Sequence, residues 1–177
     1  MLFKEFLLSA LLAPLVSIQP LSLAATTTDH VFLGFDSLHK QILSTHDCVK
    51  NFDGGAGQTL LCGYELYNLM TSSNSARKTL ADLDSVPADQ VYTYLSHYHD
   101  IRTSIKEILN TASSKTDHLD SAGLKAFATI ILRGFAKERA TYETLSKQKL
   151  PVDNHTELAG PVKNLGNEFE KALADFL

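Results

Sequence analysis

Residues 31–52 read VFLGFDSLHKQILSTHDCVKNF, and this stretch decides the fold class. Its apolar side chains recur at the spacing that places them on one face of an α-helix. The same spacing returns near the C-terminus. The residues that share a stripe are Val31, Phe35, Leu38, Ile42, Val49 and Phe52 in the first segment, and Leu158, Val162, Leu165, Phe169, Leu173 and Phe176 in the last. The sequence therefore predicts an all-α protein.

Breaker residues divide the chain into five predicted amphipathic helices joined by short polar linkers. The helices cover about residues 29–51, 58–83, 85–112, 117–150 and 154–177. Thr28 or Asp29 is expected to cap the first helix, and Pro87 suits the first turn of the third. The polar run at residues 71–75 either continues the second helix or kinks it, and Pro161 marks either the true start of the last helix or a kink. An antiparallel bundle is the natural packing.

The N-terminus has the features of a signal peptide over residues 1–24. Lys4 precedes an apolar run at residues 6–16, and small residues follow at Ala24 and Ala25. The run is shorter than the roughly 20 apolar residues of a membrane helix, so an uncleaved anchor is the weaker interpretation. We expect cleavage after Ala24 or Ala25, and a single domain at residues 25–177 without a transmembrane segment. The protein is expected outside the cell or in a cell wall.

The charge balance bears on the class of partner. The formal net charge is −4 at neutral pH. Nucleic acids and anionic membrane surfaces select basic patches, so this balance argues against either of them as the partner.

Two cysteines, Cys48 and Cys62, lie in the expected mature chain. An oxidising compartment is expected to pair them, and two free buried thiols are the alternative. Cys48 lies in the last turns of the first predicted helix and Cys62 lies early in the second. A disulfide between them would staple a helical hairpin across the turn at residues 51–57.

Two motifs resemble catalytic or metal sites and are better explained otherwise. Residues 53–59, DGGAGQT, resemble a phosphate-binding loop, but they lack its lysine and follow a helix, so we interpret them as a turn. His97 and His99 point about 200° apart on a helix of 3.6 residues per turn. We therefore expect them to be solvated side chains on either side of a buried Tyr98.

The remaining polar residues form no recognisable catalytic or metal-ligating pattern. The other histidines have no zinc-ligand spacing and are His30, His39, His46, His118 and His155. No nucleophile elbow of the form G-x-S-x-G occurs. We expect no catalytic residues, no metal and no cofactor, and therefore no enzyme. Asn154 begins the sequon Asn-His-Thr, which is either glycosylated or unoccupied.

Four segments together carry a family resemblance. They are the first helix, the turn VKNFDGG at residues 49–55, the aliphatic stretch at residues 101–108 and the ending at residues 165–173. In these segments the chain, from about Val31 to Leu177, resembles the fungal hydrophobic surface-binding protein and cell-wall galactomannoprotein family. The cysteine pair and the content of tyrosine, histidine and charge depart from the pattern of that family.

The resemblance implies a helical bundle that adsorbs to hydrophobic surfaces or encloses fatty acids between its helices. Long helices leave such a cavity where facing side chains are small. The candidates for its lining are Phe35, Leu38, Ile42, Met70, Tyr98, Ile101, Ile105, Phe127, Ile131, Phe135, Leu165 and Phe169. The alternative is that these residues are plain core. Tyr64, Tyr94 or Tyr98 would offer a hydroxyl to a carboxylate head group.

Three functional classes are weighed, of which the third, an enzyme, would require titratable side chains that converge in a cleft. The first is a secreted, non-catalytic module that binds a fatty acid, another apolar small molecule or a hydrophobic surface. The second is a secreted effector or inhibitor that contacts a partner protein through an exposed helix face or the linker at residues 113–120. A continuous internal cavity favours the first class, and a solid bundle favours the second.

Overall fold

The computed structural model describes residues 26–176. Within them the chain forms six α-helices and no β-strand, in agreement with the predicted all-α class. The helices are α1 (Thr28–Lys50), α2 (Ala56–Asp82), α3 (Val91–Ser114), α4 (Thr116–Ser121), α5 (Lys125–Lys149) and α6 (Leu165–Asp175). Short 3₁₀ turns occupy Ala88–Gln90, Val152–Asn154 and Glu157–Ala159. The predicted signal peptide and its cleavage site lie outside the described residues.

Helices α1 and α2 form an antiparallel hairpin, and the two helices are held together near both of its ends. Near the start of α1, Gly34 lies so close to α2 that an added Cβ would be 3.4 Å from the Cα of Ala76. At the other end, Cys48 and Cys62 form the predicted disulfide, with their Cα atoms 5.5 Å apart. The prediction of a stapled hairpin is confirmed.

The other long helices alternate in direction around this hairpin. Helix α3 runs parallel to α1, as the hydrogen bonds His39–Ser104 (2.9 Å) and His46–Thr111 (2.8 Å) show. Helix α5 returns toward the start of α3, where the amide of Val86 donates to the carbonyl of Lys149. Helix α6 packs against both α3 and α5. The predicted up-and-down bundle is confirmed.

A closely packed core fills the end of the bundle at which α1 and α3 begin. Its aromatic centre joins Phe35 to Tyr94, whose ring centroids are 5.3 Å apart, with Tyr98 and Tyr142 around them. The buried side chains here include Val31, Phe35, Ala76, Leu80, Leu83, Val86, Val91, Tyr94, Leu95, Leu150 and Leu158. We call this end the solid half.

The predicted fourth helix is two helices, α4 and α5. Gly123 adopts a φ of +71°, and its amide donates to Asp120 while the amide of Leu124 donates to Leu119. This pair of bonds is the Schellman arrangement, in which a glycine ends a helix in the left-handed conformation. The predicted linker at residues 113–116 is also shorter than expected, because α3 continues to Ser114 and α4 begins at Thr116.

The predicted fifth helix begins later than expected. Gly160 has φ +50° and ψ −145°, which no helix tolerates, and Pro161 follows it without a backbone N–H. The chain forms 3₁₀ turns there, and α6 begins at Leu165. The Asn164 side chain caps α6 by accepting from the amide of Asn167 at 3.2 Å.

The structure also settles two details of the first two helices. Thr27 is the N-cap of α1, whereas Thr28 and Asp29 are already helical. Helix α2 runs without a break through the polar residues 71–75. Ser73 is buried there against Tyr142, whose hydroxyl donates to the Ser73 carbonyl at 2.7 Å, so tertiary contacts outweigh the weak helix propensity.

Candidate functional site

An apolar cavity occupies the other end of the bundle, which we call the hollow half. It encloses about 200 Å³ between α1, α2, α3, α5 and α6. Along α3 its wall extends from Tyr98 to Ala112, which corresponds to about 21 Å at the helical rise per residue. The space is therefore elongated and lies parallel to the helices.

Four helices build most of the wall by presenting residues at helical spacing. Helix α1 contributes Phe35, Leu38 and Ile42, and α6 closes one side with Leu165 and Phe169. The apolar side chains from α3 and α5 are Ile101, Ile105, Ile108, Leu109, Ala112, Phe127, Ala128, Ile131, Leu132 and Phe135. These apolar stripes face one another across space that no side chain fills.

Eleven of the twelve residues predicted to line a cavity do border this one. They are Phe35, Leu38, Ile42, Tyr98, Ile101, Ile105, Phe127, Ile131, Phe135, Leu165 and Phe169. Met70 does not border it, because its side chain is 49 % exposed on the outer face of α2. The cavity also has lining residues that the prediction omitted, such as Leu66, Leu109, Leu132 and Phe176.

The cavity reaches solvent beside the first turns of α5. Phe127 borders it and is 52 % exposed. Across the opening, α2 contributes Gly63 and Leu66, and α2 approaches α5 closely at few positions. A ligand therefore has a path into the cavity between α2 and α5.

Four charged residues border the otherwise apolar space, and sequence reasoning missed all of them. Arg102, Glu138 and Arg139 lie toward the solid half, and Lys115 lies at the opposite end. Glu138 is paired with Arg77 at 2.8 Å, and Arg139 with Glu143 at 3.0 Å. Arg102 lies four residues after Tyr98 on the buried face of α3. A charged residue at an apolar position of the helical pattern was therefore the signal that could have identified it.

The three tyrosines considered as partners of a head group have different environments. The hydroxyl of Tyr94 is 2.7 Å from Ser146 Oγ within the solid half, and Tyr64 is exposed. Tyr98 borders the cavity, and the Arg102 guanidinium lies 5.7 Å from its ring centre. Burial raises the pKa of the Tyr98 hydroxyl, and Arg102 partly opposes that effect. Of these three tyrosines, it is Tyr98 that borders the cavity.

His97 and His99 are not the free solvated side chains that we expected. His97 stacks on Phe32 and lies 2.9 Å from the Asp36 carboxylate, while His99 Nε2 contacts the Glu157 carbonyl at 2.7 Å. Tyr98 between them is buried, as expected. Across residues 26–176, no group of three or more His, Cys, Asp or Glu side chains is arranged to hold a metal ion.

The glycine-rich segment is a turn, as expected. Gly54 has a φ of +89°, and the amide of Gly55 donates to the Asp53 carboxylate at 2.8 Å. Asn154 lies half-buried in a 3₁₀ turn, and its glycosylation stays a prediction. Within the part of the chain that the structure describes, no helix is both long and apolar enough to cross a membrane.

Comparison with known proteins identifies the fold by structure rather than by sequence. No family model and no curated protein matches the chain. Afmp4p, solved in complex with palmitic acid, is 14 % identical with a TM-score of 0.80, covering 85 % of this chain and 100 % of Afmp4p.

Two domains of the Penicillium marneffei MP1 protein are also similar. Ligand binding domain 1, complexed with arachidonic acids, is 11 % identical with a TM-score of 0.76, covering 85 % of this chain and 99 % of the domain. Ligand binding domain 2, complexed with multiple arachidonic acids, is 13 % identical with a TM-score of 0.75, covering 85 % and 96 %. The chain therefore has the same helical-bundle fold as these fatty-acid complexes.

Proposed function

We propose that this protein is a non-catalytic binder of a long-chain fatty acid, which it holds between the helices of the hollow half. The observation that carries the proposal is the elongated apolar cavity, which has the form of a ligand site between bundle helices. Similar folds at low identity were solved with palmitic or arachidonic acid, which supports this class of ligand.

The size of the cavity favours one acyl chain. Pockets for drug-sized ligands measure roughly 300–1,000 Å³, and this cavity, at about 200 Å³, is below that range. The opening at Phe127 lets part of a long ligand remain at the surface. We therefore expect a stoichiometry of one fatty acid per protein.

Native mass spectrometry of the purified protein, before and after organic extraction, tests the proposal. We expect a bound mass that disappears on extraction and returns when palmitic acid is added. Ala128 borders the cavity, whereas Ala126 on the same helix is exposed and does not. Ala128→Phe should reduce the bound fraction, and Ala126→Phe should leave it unchanged. A protein that stays free of ligand after incubation with palmitic acid contradicts the proposal.

We also propose that the protein is secreted and acts outside the cell or in a cell wall. The support is the signal-peptide pattern of residues 1–24 and the disulfide, which persists in oxidising compartments. Sequencing the N-terminus of protein recovered from the growth medium or wall should find residue 25 or 26 first. A shift in mass after enzymatic removal of N-glycans would establish that Asn154 is modified.

A second candidate function is binding to a hydrophobic surface or to a partner protein. The observation that favours it is a set of exposed apolar side chains in the first half of α2: Leu60, Leu61, Tyr64, Tyr67 and Met70. Replacing Leu60 and Tyr67 by serine should weaken adsorption to hydrophobic beads and leave palmitic acid binding unchanged. Equal adsorption of the variant and the natural protein would exclude this face.

A further inference from the structure

Arg102 is a buried cation in the wall of the cavity. Its residue exposure is 5 %, and it lies on the apolar face of α3 between Tyr98 and Ile105. A guanidinium keeps its charge inside proteins. Burying a charge is unfavourable unless an opposite charge and hydrogen bonds compensate it.

Within residues 26–176, the contacts of Arg102 are a backbone carbonyl and Tyr98, and they supply no opposite charge. One Nη donates to the Val162 carbonyl at 2.8 Å, and the guanidinium lies 5.7 Å from the centre of the Tyr98 ring. Its Nε–H is buried and has no acceptor. None of the ion pairs in this part of the chain includes Arg102. One buried N–H is therefore left without an acceptor, and the buried charge is left without a carboxylate partner.

The acidic residues nearby are engaged with other cations. Glu138, which also borders the cavity, is paired with Arg77, and Glu143 contacts both Arg139 and Lys147. Arg139 has a second buried Nε–H without an acceptor in the described residues. Two buried N–H groups without an acceptor therefore belong to arginines that border the cavity, one on α3 and one on α5, and a carboxylate has two oxygens that accept such bonds.

Lys115 is the alternative cation, at the opposite end of the cavity. It is half-buried, and its Nζ donates to the Phe52 carbonyl at 3.1 Å. Because it is partly exposed, water compensates its charge, so no ligand is required there. An anionic ligand group would therefore compensate a buried charge at the Arg102 end of the cavity, whereas the Lys115 end does not require one.

We propose that Arg102 binds the carboxylate of the ligand and fixes its direction. The acid group then lies near Tyr98 and Arg139, and the acyl chain extends toward Phe52 and Lys115. This inference depends on the proposed function, and it adds a preference for long-chain carboxylic acids over uncharged ligands of the same length. Charge-assisted hydrogen bonds are the strong ones, so the preference is large.

Comparing the binding of palmitic acid and hexadecanol by calorimetry tests Arg102 directly. The natural protein should bind palmitic acid about 10- to 100-fold more tightly, as expected for hydrogen bonds to charged groups. Arg102→Met should remove this preference, chiefly by weakening palmitic acid binding. Lys115→Met, the matched control, should keep it. A preference that survives Arg102→Met, or that is lost in Lys115→Met, overturns the assignment.

A second measurement needs no variant and applies if Arg102→Met does not fold. Palmitic acid labelled at its carboxyl carbon is bound to the natural protein, and its NMR shift is followed with pH. Beside Arg102 and Arg139, with Glu138, Glu143, Tyr98 and Tyr142 as the other ionisable groups around them, the bound carboxyl should titrate below the ordinary value of a carboxylic acid in water, about pH 4.

The outcomes of the two measurements separate the two proposals. Titration above that ordinary value would place the carboxyl among apolar side chains and overturn the assignment of Arg102, while leaving fatty-acid binding intact. If the natural protein binds neither palmitic acid nor hexadecanol, the proposed function fails, and the assignment fails with it.

Discussion

The solid half and the hollow half of this bundle are built from the same helices with the same apolar spacing, and yet one is filled and the other is not. In the solid half, Val31, Leu80 and Tyr94 have no measurable exposure. In the hollow half, Ile105, Ile131 and Phe135 are partly buried and border empty space. Apolar spacing therefore determines which face of a helix turns inward. The distance between helices determines whether the side chains on that face pack against other side chains or border a cavity.

The two halves also differ in what holds α1 and α2 together. In the solid half, Gly34 lets the two backbones approach, and Ala76 packs there with 1 % exposure. In the hollow half, the disulfide between Cys48 and Cys62 joins them, while the first half of α2 exposes Leu60 and Tyr67. Side-chain and backbone packing stabilises one end of the hairpin, and a disulfide stabilises the other end, where the two helices are less closely packed.

Leucine truncations in α2 should show the largest difference between the halves. Leu80→Ala removes a fully buried side chain from the solid half and should cost about 2–5 kcal/mol of unfolding free energy. Leu66 is half-buried beside the existing cavity, and Leu66→Ala should cost about 1 kcal/mol or less. Urea denaturation of the ligand-free protein measures both. Equal costs would mean that the cavity is filled or collapsed in solution.

Removing the disulfide should have the next largest effect, and it should act on the hollow half. The bond closes a loop with a sequence separation of 14. Replacing both cysteines by alanine should destabilise the protein by about 3 kcal/mol, mainly because the unfolded chain gains freedom. Hydrogen exchange should accelerate first at the end of α1 and the start of α2. Uniform acceleration through both halves would show that the bond does not act locally.

Alkaline pH should weaken the solid half through its buried tyrosines. Burial raises the pKa of the Tyr94, Tyr98 and Tyr142 hydroxyls above the ordinary value of about 10. Groups with a raised folded-state pKa contribute stability below the unfolded-state value, and that stability is lost as the pH rises above it. We expect the unfolding free energy to fall above about pH 10.

Two controls sharpen the alkaline prediction. Tyr94→Phe removes the hydrogen bond to Ser146, so it should cost about 1 kcal/mol at neutral pH and make the decline above pH 10 less steep. Tyrosinate absorbance shows when the buried hydroxyls ionise. Complete ionisation of all tyrosines while the helical circular dichroism is intact would contradict the burial of these three residues.

The sequence predicted the helical faces and the disulfide well, but it predicted two helix boundaries poorly. The stripes of α1 and α3 and the pairing of Cys48 with Cys62 required no knowledge of the tertiary structure. The glycine that divides α4 from α5 was missed because Gly123 lies in a sequence that otherwise favours helix. The late start of α6 depends on the backbone of Gly160, whose positive φ is compatible with a turn and incompatible with a helix.

Part of the candidate site could likewise be predicted from the sequence, and part of it could not. Helical periodicity and the family resemblance together selected eleven residues that border the cavity, because residues on one helical face share an environment. They failed for Met70, since α2 turns much of its apolar surface outward. The family resemblance implied a cavity, but apolar spacing alone did not distinguish it from plain core, because the empty volume depends on the spacing between helices. The isolation of Arg102 was not predictable, because it depends on which acidic residues pair with other cations.

Adding volume to the hollow half should have the smallest effect of all, and the same addition to the solid half provides the contrast. A phenylalanine at position 128 projects into space that the hollow half leaves free, so Ala128→Phe should change the unfolding free energy of the ligand-free protein by no more than about 0.5 kcal/mol. The same substitution at Ala76, where α1 and α2 are in contact, has no such space. Overpacking there should cost at least about 1–3 kcal/mol. If Ala128→Phe is as costly as Ala76→Phe, the two halves are equally filled in solution, and a cavity that accepts an acyl chain without rearrangement is excluded.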